Sequence, residues 1–476
     1  MRNLWCRDNL YSSLKIIANL IEERPFYFLV VCSLLCYATA LNSPFQFDDI
    51  NTIFGYRGVH SFGAWVETLS SSLRPLLKLT YLFNWALSTA PLGFHIFNIT
   101  VHIINVILVY QFSMEVSRGI LPPLGDAAKY SALIAAFLFA VHPVNTEAVT
   151  YISGRSASLM TLCYIASALC YMRGVRLDKP IMYAFSSPFL FLVAVLIKET
   201  ALTLPLALLL WEVVIKKTKI SRIGLRQIIF WLLVMGMLCL AVTNDRYYAM
   251  LDELAGSRSL VEAMRYQIHG IAYLISRLVL INRLCINPEL GKHPPGELLL
   301  VSEICILILM AVVGLLKIRK YPEVTLGILW FFLHLLLPYI ILSRTEVINE
   351  RHMYIANVGL FCAIGTAITS ILRTSQWNKI VLTILGAVSC IFVVQTNLRN
   401  LEYHTELALW QSTVRISTAS SSAYNNLGVA YHLAGRDSEA ALSFEHALFL
   451  DPDDETARQN LRRLLAIKAI GQTTTD

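Results

Sequence analysis

The side chains able to do chemistry in this chain are few, and they gather beside apolar segments. Phe47-Asp48-Asp49 sets two carboxylates directly after an apolar run. Adjacent acids there are costly unless they meet water, a cation or a substrate, and such a pair can supply a general base. Capping of a following helix is the competing role, since Asp is a good N-cap. His142-Pro143-Val144-Asn145-Thr146-Glu147 opens a helical segment that ends around Gly154-Arg155. Lys198-Glu199 lies between two apolar runs with almost no loop, and Glu350-Arg351-His352 enters another run. The ordinary counterparts are a solvated bend and an interfacial anchor. Together, Arg74, Arg155, Lys198 and Arg351 are the cations from which a pocket for a phosphate or pyrophosphate head group would be built. His142, Glu147, Glu199 and Glu350 are the candidate substrate contacts beside them. His95, Asn98, His102 and Asn105 are spaced three, four and three apart, so they share one helix face, where inter-helix hydrogen bonding outweighs substrate contact as a role. A Gly-rich phosphate loop, a Ser-His-Asp order and a zinc spacing are all missing from the sequence, and metal dependence is left open.

Whatever positions these groups is embedded in lipid. Of the 476 residues 56% are hydrophobic and 15% charged, against about 25% charged in a soluble domain. Mean hydropathy is +0.58. A soluble enzyme, a secreted disulfide scaffold and a disordered chain are excluded. The ten cysteines fall almost entirely inside apolar runs and read as small buried hydrophobes. The net charge of +7 comes from short basic clusters between apolar runs, which report topology and not a nucleic-acid partner.

Eleven apolar runs are expected to span: 25–41, 94–112, 130–141, 157–172, 180–197, 201–215, 228–242, 298–316, 324–342, 353–372 and 380–396. The first lacks a small-residue cleavage site and reads as an uncleaved span after a cytoplasmic N-terminus, residues 1–24. Five basic clusters (Arg118 with Lys129; Arg173, Arg176 and Lys179; Lys216 to Arg226; Lys317 to Lys320; Arg373 with Lys379) fall on the cytoplasmic side if 266–285 does not cross. That stretch, with His269, Arg277 and Arg283, reads as an amphipathic helix or re-entrant pair at the outer surface. The loop 42–93, the candidate site residues and the C-terminus are then external.

After Thr396 the chain turns polar and helical. Tyr424, Leu427, Gly428, Tyr431, Ala440, Phe444, Ala447 and Pro452 fall at the spacings of one tetratricopeptide repeat, about 421–454 within an external helical region 397–476. One repeat cannot bury its own faces, so flanking helices around 401–416 and 455–467 are expected to cap it.

With these motifs in place, the chain resembles the transmembrane and tetratricopeptide-repeat O-mannosyltransferases and their bacterial relatives, of the C-type, polyprenyl-phosphate-sugar-dependent glycosyltransferase superfamily. The resemblance covers nearly the whole chain, membrane domain 25–396 included. It rests on Phe47-Asp48-Asp49, on Arg74-Pro75-Leu76 through Phe94-His95-Ile96-Phe97-Asn98 to His102, and on His142 to Val149 with Gly154-Arg155. Lys198-Glu199, Glu350-Arg351-His352-Met353-Tyr354 and the C-terminal repeat complete it. The resemblance implies an all-α polytopic fold and transfer of mannose or another hexose with inversion onto a protein Ser or Thr hydroxyl. It also implies a lipid-phosphate sugar donor, no certain cofactor, and an acidic residue of the first external loop as base. Asp48 is preferred, with Asp49 orienting the acceptor or a metal. It places the enzyme in a bacterial inner membrane or the endoplasmic reticulum, with its active site on the periplasmic or luminal side and the repeat engaging an acceptor or partner protein. Animal members carry many repeats where one is recognisable here, and an aromatic residue often stands where this chain has His352. The rivals are a same-fold enzyme acting on a glycan, lipid A or a cell-wall polymer, a non-catalytic scaffold that presents the repeat, and a polyprenyl-linked sugar transporter.

Overall fold

The computed structural model describes residues 23–69, 72, 74–118, 126–243, 260–288, 290, 296–341, 348–374 and 378–473. Among the described residues every regular element is a helix. All but the last two residues of the N-terminal segment 1–24 lie outside them.

Proline starts many of these helices. Pro25, Pro75, Pro91 and Pro322 each stand at the first helical position, where the missing N–H costs nothing. Among the described residues seven helices are long and apolar enough to cross a membrane, or eight if the bent pair Ala127–Val141 and Pro143–Val149 is one broken span. Met182–Ile197 is apolar but shorter, and Leu204–Val214 has only 11 residues. The expected eleven therefore includes elements below the roughly 20 residues a bilayer core requires. Leu260–Arg277 is not among the candidate spans. It carries Glu262, Arg265, His269 and Arg277 within 18 residues.

Small residues bring the membrane helices together. A Cβ on Gly327 would meet the carbonyl of Gly359 at 2.3 Å, and one on Gly359 would meet the Trp330 ring at 2.6 Å. Pro322–Ile341 and Met353–Thr374 are thus held backbone to backbone, the usual means of association where lipid offers no hydrophobic drive. The polar stripe on Pro91–Arg118 does the same job with hydrogen bonds, as expected. His95 Nε2 pairs with the Ser43 carbonyl at 2.9 Å, and His102 Nδ1 with Tyr354 Oη at 2.7 Å. Asn98 Nδ2 donates to the Val149 carbonyl at 3.2 Å, and Asn105 Nδ2 to that of Ser158 at 2.8 Å.

The two ends of this bundle differ. At one end buried Glu115 collects Arg176 at 2.5 Å, Arg118 at 3.6 Å and Arg173 at 3.8 Å. Helix Pro91–Arg118 has 28 residues, so at about 1.5 Å rise per residue its other end lies roughly 40 Å away. There the loop after Pro25–Asn42 meets the C-terminal helices Glu406–Ile416 and Ser421–Leu433, after which Asp437–Leu450 and Glu455–Thr473 follow. Ser421–Leu433 and Asp437–Leu450 pack closely because Gly428 leaves room for Phe444, whose ring would lie 2.6 Å from a Cβ. A topological test follows. Single cysteines at exposed Glu67 and Glu445 are expected to react with an impermeant thiol reagent from the same side, and one at exposed Lys179 only from the other. Opposite labelling of Glu67 and Glu445 would break the arrangement.

Candidate active site

Turns and breaks between helices place the charged side chains singled out in the sequence. Phe47 has φ 49°, a left-handed conformation unfavourable for an aromatic residue, and it turns the chain immediately before Asp48. Arg74 is held out of the helix by Pro75, at φ −142° and ψ 65°. Lys198 is extended, at φ −158° and ψ 129°, in a one-residue break between the helices Ser187–Ile197 and Glu199–Thr203. Arg351 lies in the single turn Glu350–His352, whose entry is fixed by the Asn349 N–H donating to His352 Nδ1 at 3.2 Å.

These breaks converge on a polar cavity of about 140 Å³ lined by Asp48, Thr52, Arg74, Lys78, Tyr81, Ser153, Ser156, Lys198, Arg351 and His352. Asp48 thus shares a cavity with four cationic side chains. Arg74 is gripped bidentately by Glu199 (Nη2 to Oε1 2.7 Å, Nε to Oε2 3.0 Å), while neighbouring Lys198 serves the cavity. Arg351 is seated by buried Glu147, which accepts its backbone N–H at 2.8 Å and lies 3.2 Å from Nη1. Glu199 and Glu147 therefore act as counter-charges that orient arginines, a charge-assisted geometry well suited to fixing a planar guanidinium. Glu350 Oε1 accepts the Cys285 N–H at 2.8 Å.

The two aspartates part company. The Asp48 N–H donates to Tyr151 Oη at 3.1 Å, and Asp48 lines the cavity. Asp49 is buried and does not line it; Oδ2 accepts the Gln46 N–H at 3.1 Å, and Oδ1 accepts the Ser153 N–H at 2.8 Å and its hydroxyl at 2.5 Å. Asp49 staples the loop to the 151–155 turn. That turn is itself compact, since a Cβ on Gly154 would come within 2.0 Å of the Glu147 carbonyl. Burial pushes the Asp49 carboxyl up to about 7, against the pull of those donors. The folded protein then holds a proton here, between about pH 4 and 7, that the unfolded chain has released, so stability attributable to this group falls as pH rises through that window. Asp49→Asn is expected to flatten that segment of the thermal-unfolding profile; an unchanged slope would remove the assignment.

Two expected contacts lie elsewhere. Arg155, read as a donor-phosphate ligand, is fully buried away from the cavity lining. Its Nε donates to Asn98 Oδ1 at 2.6 Å and Nη2 to the Phe94 carbonyl at 3.1 Å; Nη1 lies 3.3 Å from the Thr80 carbonyl, and the Phe97 ring is 4.2 Å away. Its guanidinium is spent on joining helices. His142, read as a substrate contact, lines a separate apolar cavity of about 600 Å³ with Leu278, Phe361 and Phe392. Its Nε2 pairs with the Leu278 carbonyl at 3.2 Å, and its Nδ1 accepts the Val144 N–H. Conversely, Lys78 and Tyr81 line the cavity although no sequence motif marks them; they follow Arg74 by four and seven residues, one helical face. Among the described residues no group of three or more His, Cys, Asp or Glu side chains is placed to hold a metal ion.

The chain is similar to protein O-mannosyl-transferase TMTC3 of Mus musculus, 24% identical over 482 residues that cover 90% of this chain and 51% of the relative. The match to protein O-mannosyl-transferase TMTC3 of Homo sapiens is 25% identical over 481 residues, with the same coverage. Protein O-mannosyl-transferase TMTC4 of Homo sapiens is 34% identical over 202 residues, covering 36% of this chain and 27% of the relative. No family model matches the chain. The resemblance read from the motifs thus extends over nine-tenths of the chain. The chain spans about half the length of the TMTC3 relatives it matches.

Proposed function

We propose that this chain, similar over most of its length to protein O-mannosyl-transferases, is an integral membrane glycosyltransferase. It moves a hexose, mannose by analogy with those relatives, from a polyprenyl-phosphate carrier to a protein Ser or Thr hydroxyl, with inversion, on the luminal or periplasmic side. The observation that carries the reading is one carboxylate, Asp48, lining one small cavity together with the cations Arg74, Lys78, Lys198 and Arg351.

In this reading Asp48 takes the proton of the acceptor hydroxyl as the oxygen attacks the anomeric carbon from the face opposite the phosphate. The bond from that carbon to the phosphate oxygen breaks, and its electron pair leaves with the lipid phosphate. A phosphate leaves without being protonated, so no second acid is needed and the cations take up the growing charge. A hydrolase acting on an ordinary glycosidic bond needs two carboxylates at a set separation. The C-terminal helices lie on the same end of the bundle as the cavity, which suits a role in receiving the acceptor.

The test is incubation of purified protein with a panel of polyprenyl-phosphate sugars and a Ser/Thr-containing peptide. Release of lipid phosphate together with glycosylated peptide is expected for at least one sugar. Release of neither across the panel would sink the proposal.

A further inference from the structure

The four residues of the turn that carries Asp48 are each held by a different partner. Gln46 Nε2 donates to the Tyr403 carbonyl. The Phe47 ring meets fully buried Trp410 edge to face, centroids 5.1 Å apart. The Asp48 N–H donates to Tyr151 Oη at 3.1 Å, and Asp49 is held by Ser153. Two of the four partners, Tyr403 and Trp410, belong to the C-terminal part of the chain, some 350 residues further on. The remaining contacts tighten the same junction. Tyr151 and Tyr403 have their ring centroids 6.5 Å apart, and both share one buried apolar cluster with Trp410, Leu409 and Leu427. Asn400 Nδ2 donates to the Cys36 carbonyl at 2.7 Å, and His404 Nε2 pairs with the Thr39 carbonyl at 2.9 Å.

The physical need is specific. Phe47 stands at φ 49°, which a non-glycine residue keeps only when its surroundings over-determine it. Its ring against Trp410 is what the fold offers in return for that conformation, and the conformation directs the next residue, Asp48, to the cavity. We propose that Trp410 and Tyr151 are positioning residues for Asp48, so that the C-terminal helix Glu406–Ile416 completes the catalytic loop and is not solely an acceptor platform. This inference rests on the reading of Asp48 as base.

The test uses the full chain, with a polyprenyl-phosphate mannose and a Ser/Thr peptide as probes, and measures kcat and both KM values with the unfolding midpoint. Trp410→Ala is expected to lower kcat about 10²-fold, the scale of an ångström-sized displacement of a catalytic group, with donor and acceptor KM within about twofold. Trp410→Phe keeps an edge-to-face partner and is expected to recover most of the loss. Tyr151→Phe, nearly isosteric and therefore safe for folding, removes only the hydroxyl that accepts the Asp48 N–H and is expected to cost about tenfold in kcat. A rise in acceptor KM at unchanged kcat in Trp410→Ala would make the helix an acceptor site and overturn the inference. Wild-type kcat in Tyr151→Phe would overturn it as well, even if the Trp410 variant did not fold. Asp48→Asn in the same assay separates the two readings. If it is inert while both positioning variants are fully active, the positioning fails alone; if it is fully active, the base assignment itself fails.

Discussion

Asp48→Asn is expected to lower turnover by about 10² or more while leaving the donor KM no higher than in the parent protein. Asparagine nearly matches aspartate in volume but cannot take the acceptor proton. The hydrogen bond that holds Asp48 to Tyr151 comes from the backbone N–H, so the substitution leaves that contact available. On the proposed reading the cavity also receives a phosphate, so removing a negative charge takes away a repulsion and the donor KM should stay level or fall. A drop in kcat without a rise in KM identifies a group that acts in the transition state. Asp49→Asn is the control with a different signature. An amide cannot match all the accepting bonds to Gln46 and Ser153, so any loss there arises through the loop and is accompanied by a lower unfolding midpoint. Near-normal transfer by a normally expressed Asp48→Asn would remove the base assignment.

Much of the cavity lining is legible in the residue pattern because membranes penalise polar groups that have no partner. The motifs carrying Asp48, Arg74, Lys198 and Arg351 all stood out as charges beside apolar runs, and these four residues meet in one cavity. The spacing of His95, Asn98, His102 and Asn105 predicts bonds between helices, and the stripe makes them. Arg155 and His142 show where the pattern runs out. Both belong to the most distinctive motif of the chain, and position along a helix says nothing about which neighbour a side chain will face. Arg155 turns to Asn98 and the Phe94 carbonyl; His142 turns to the apolar side. The division of labour between Asp48 and Asp49 was equally hidden. It depends on Phe47 taking a left-handed conformation, and that depends on Trp410, more than 360 residues away in sequence. His352 departs from the aromatic residue often found at that place, yet it lines the cavity and caps its own turn.

Lys198→Ala is expected to weaken donor binding about tenfold to 10²-fold, equivalent to roughly 1.5 to 3 kcal/mol for a desolvated contact between a cation and a phosphate. Lys198 is buried at a backbone break between two helices and lines the cavity. An exposed lysine of the same charge would contribute far less and would lose its effect in salt. Arg351 calls for a gentler substitution. Removing the Arg351 side chain strands the buried Glu147 carboxylate, which by itself costs about 3 to 5 kcal/mol of stability and would blur any effect on the donor. Arg351→Lys keeps a charge near Glu147 but forfeits the planar fork, so a milder rise in donor KM with an intact fold is the matching expectation. Both effects should persist at moderate ionic strength, because a small cavity shields its charges from added salt. If Lys198→Ala binds a polyprenyl-phosphate sugar as tightly as the parent does, the lipid phosphate sits elsewhere, and the cations around Asp48 serve the fold and not the donor.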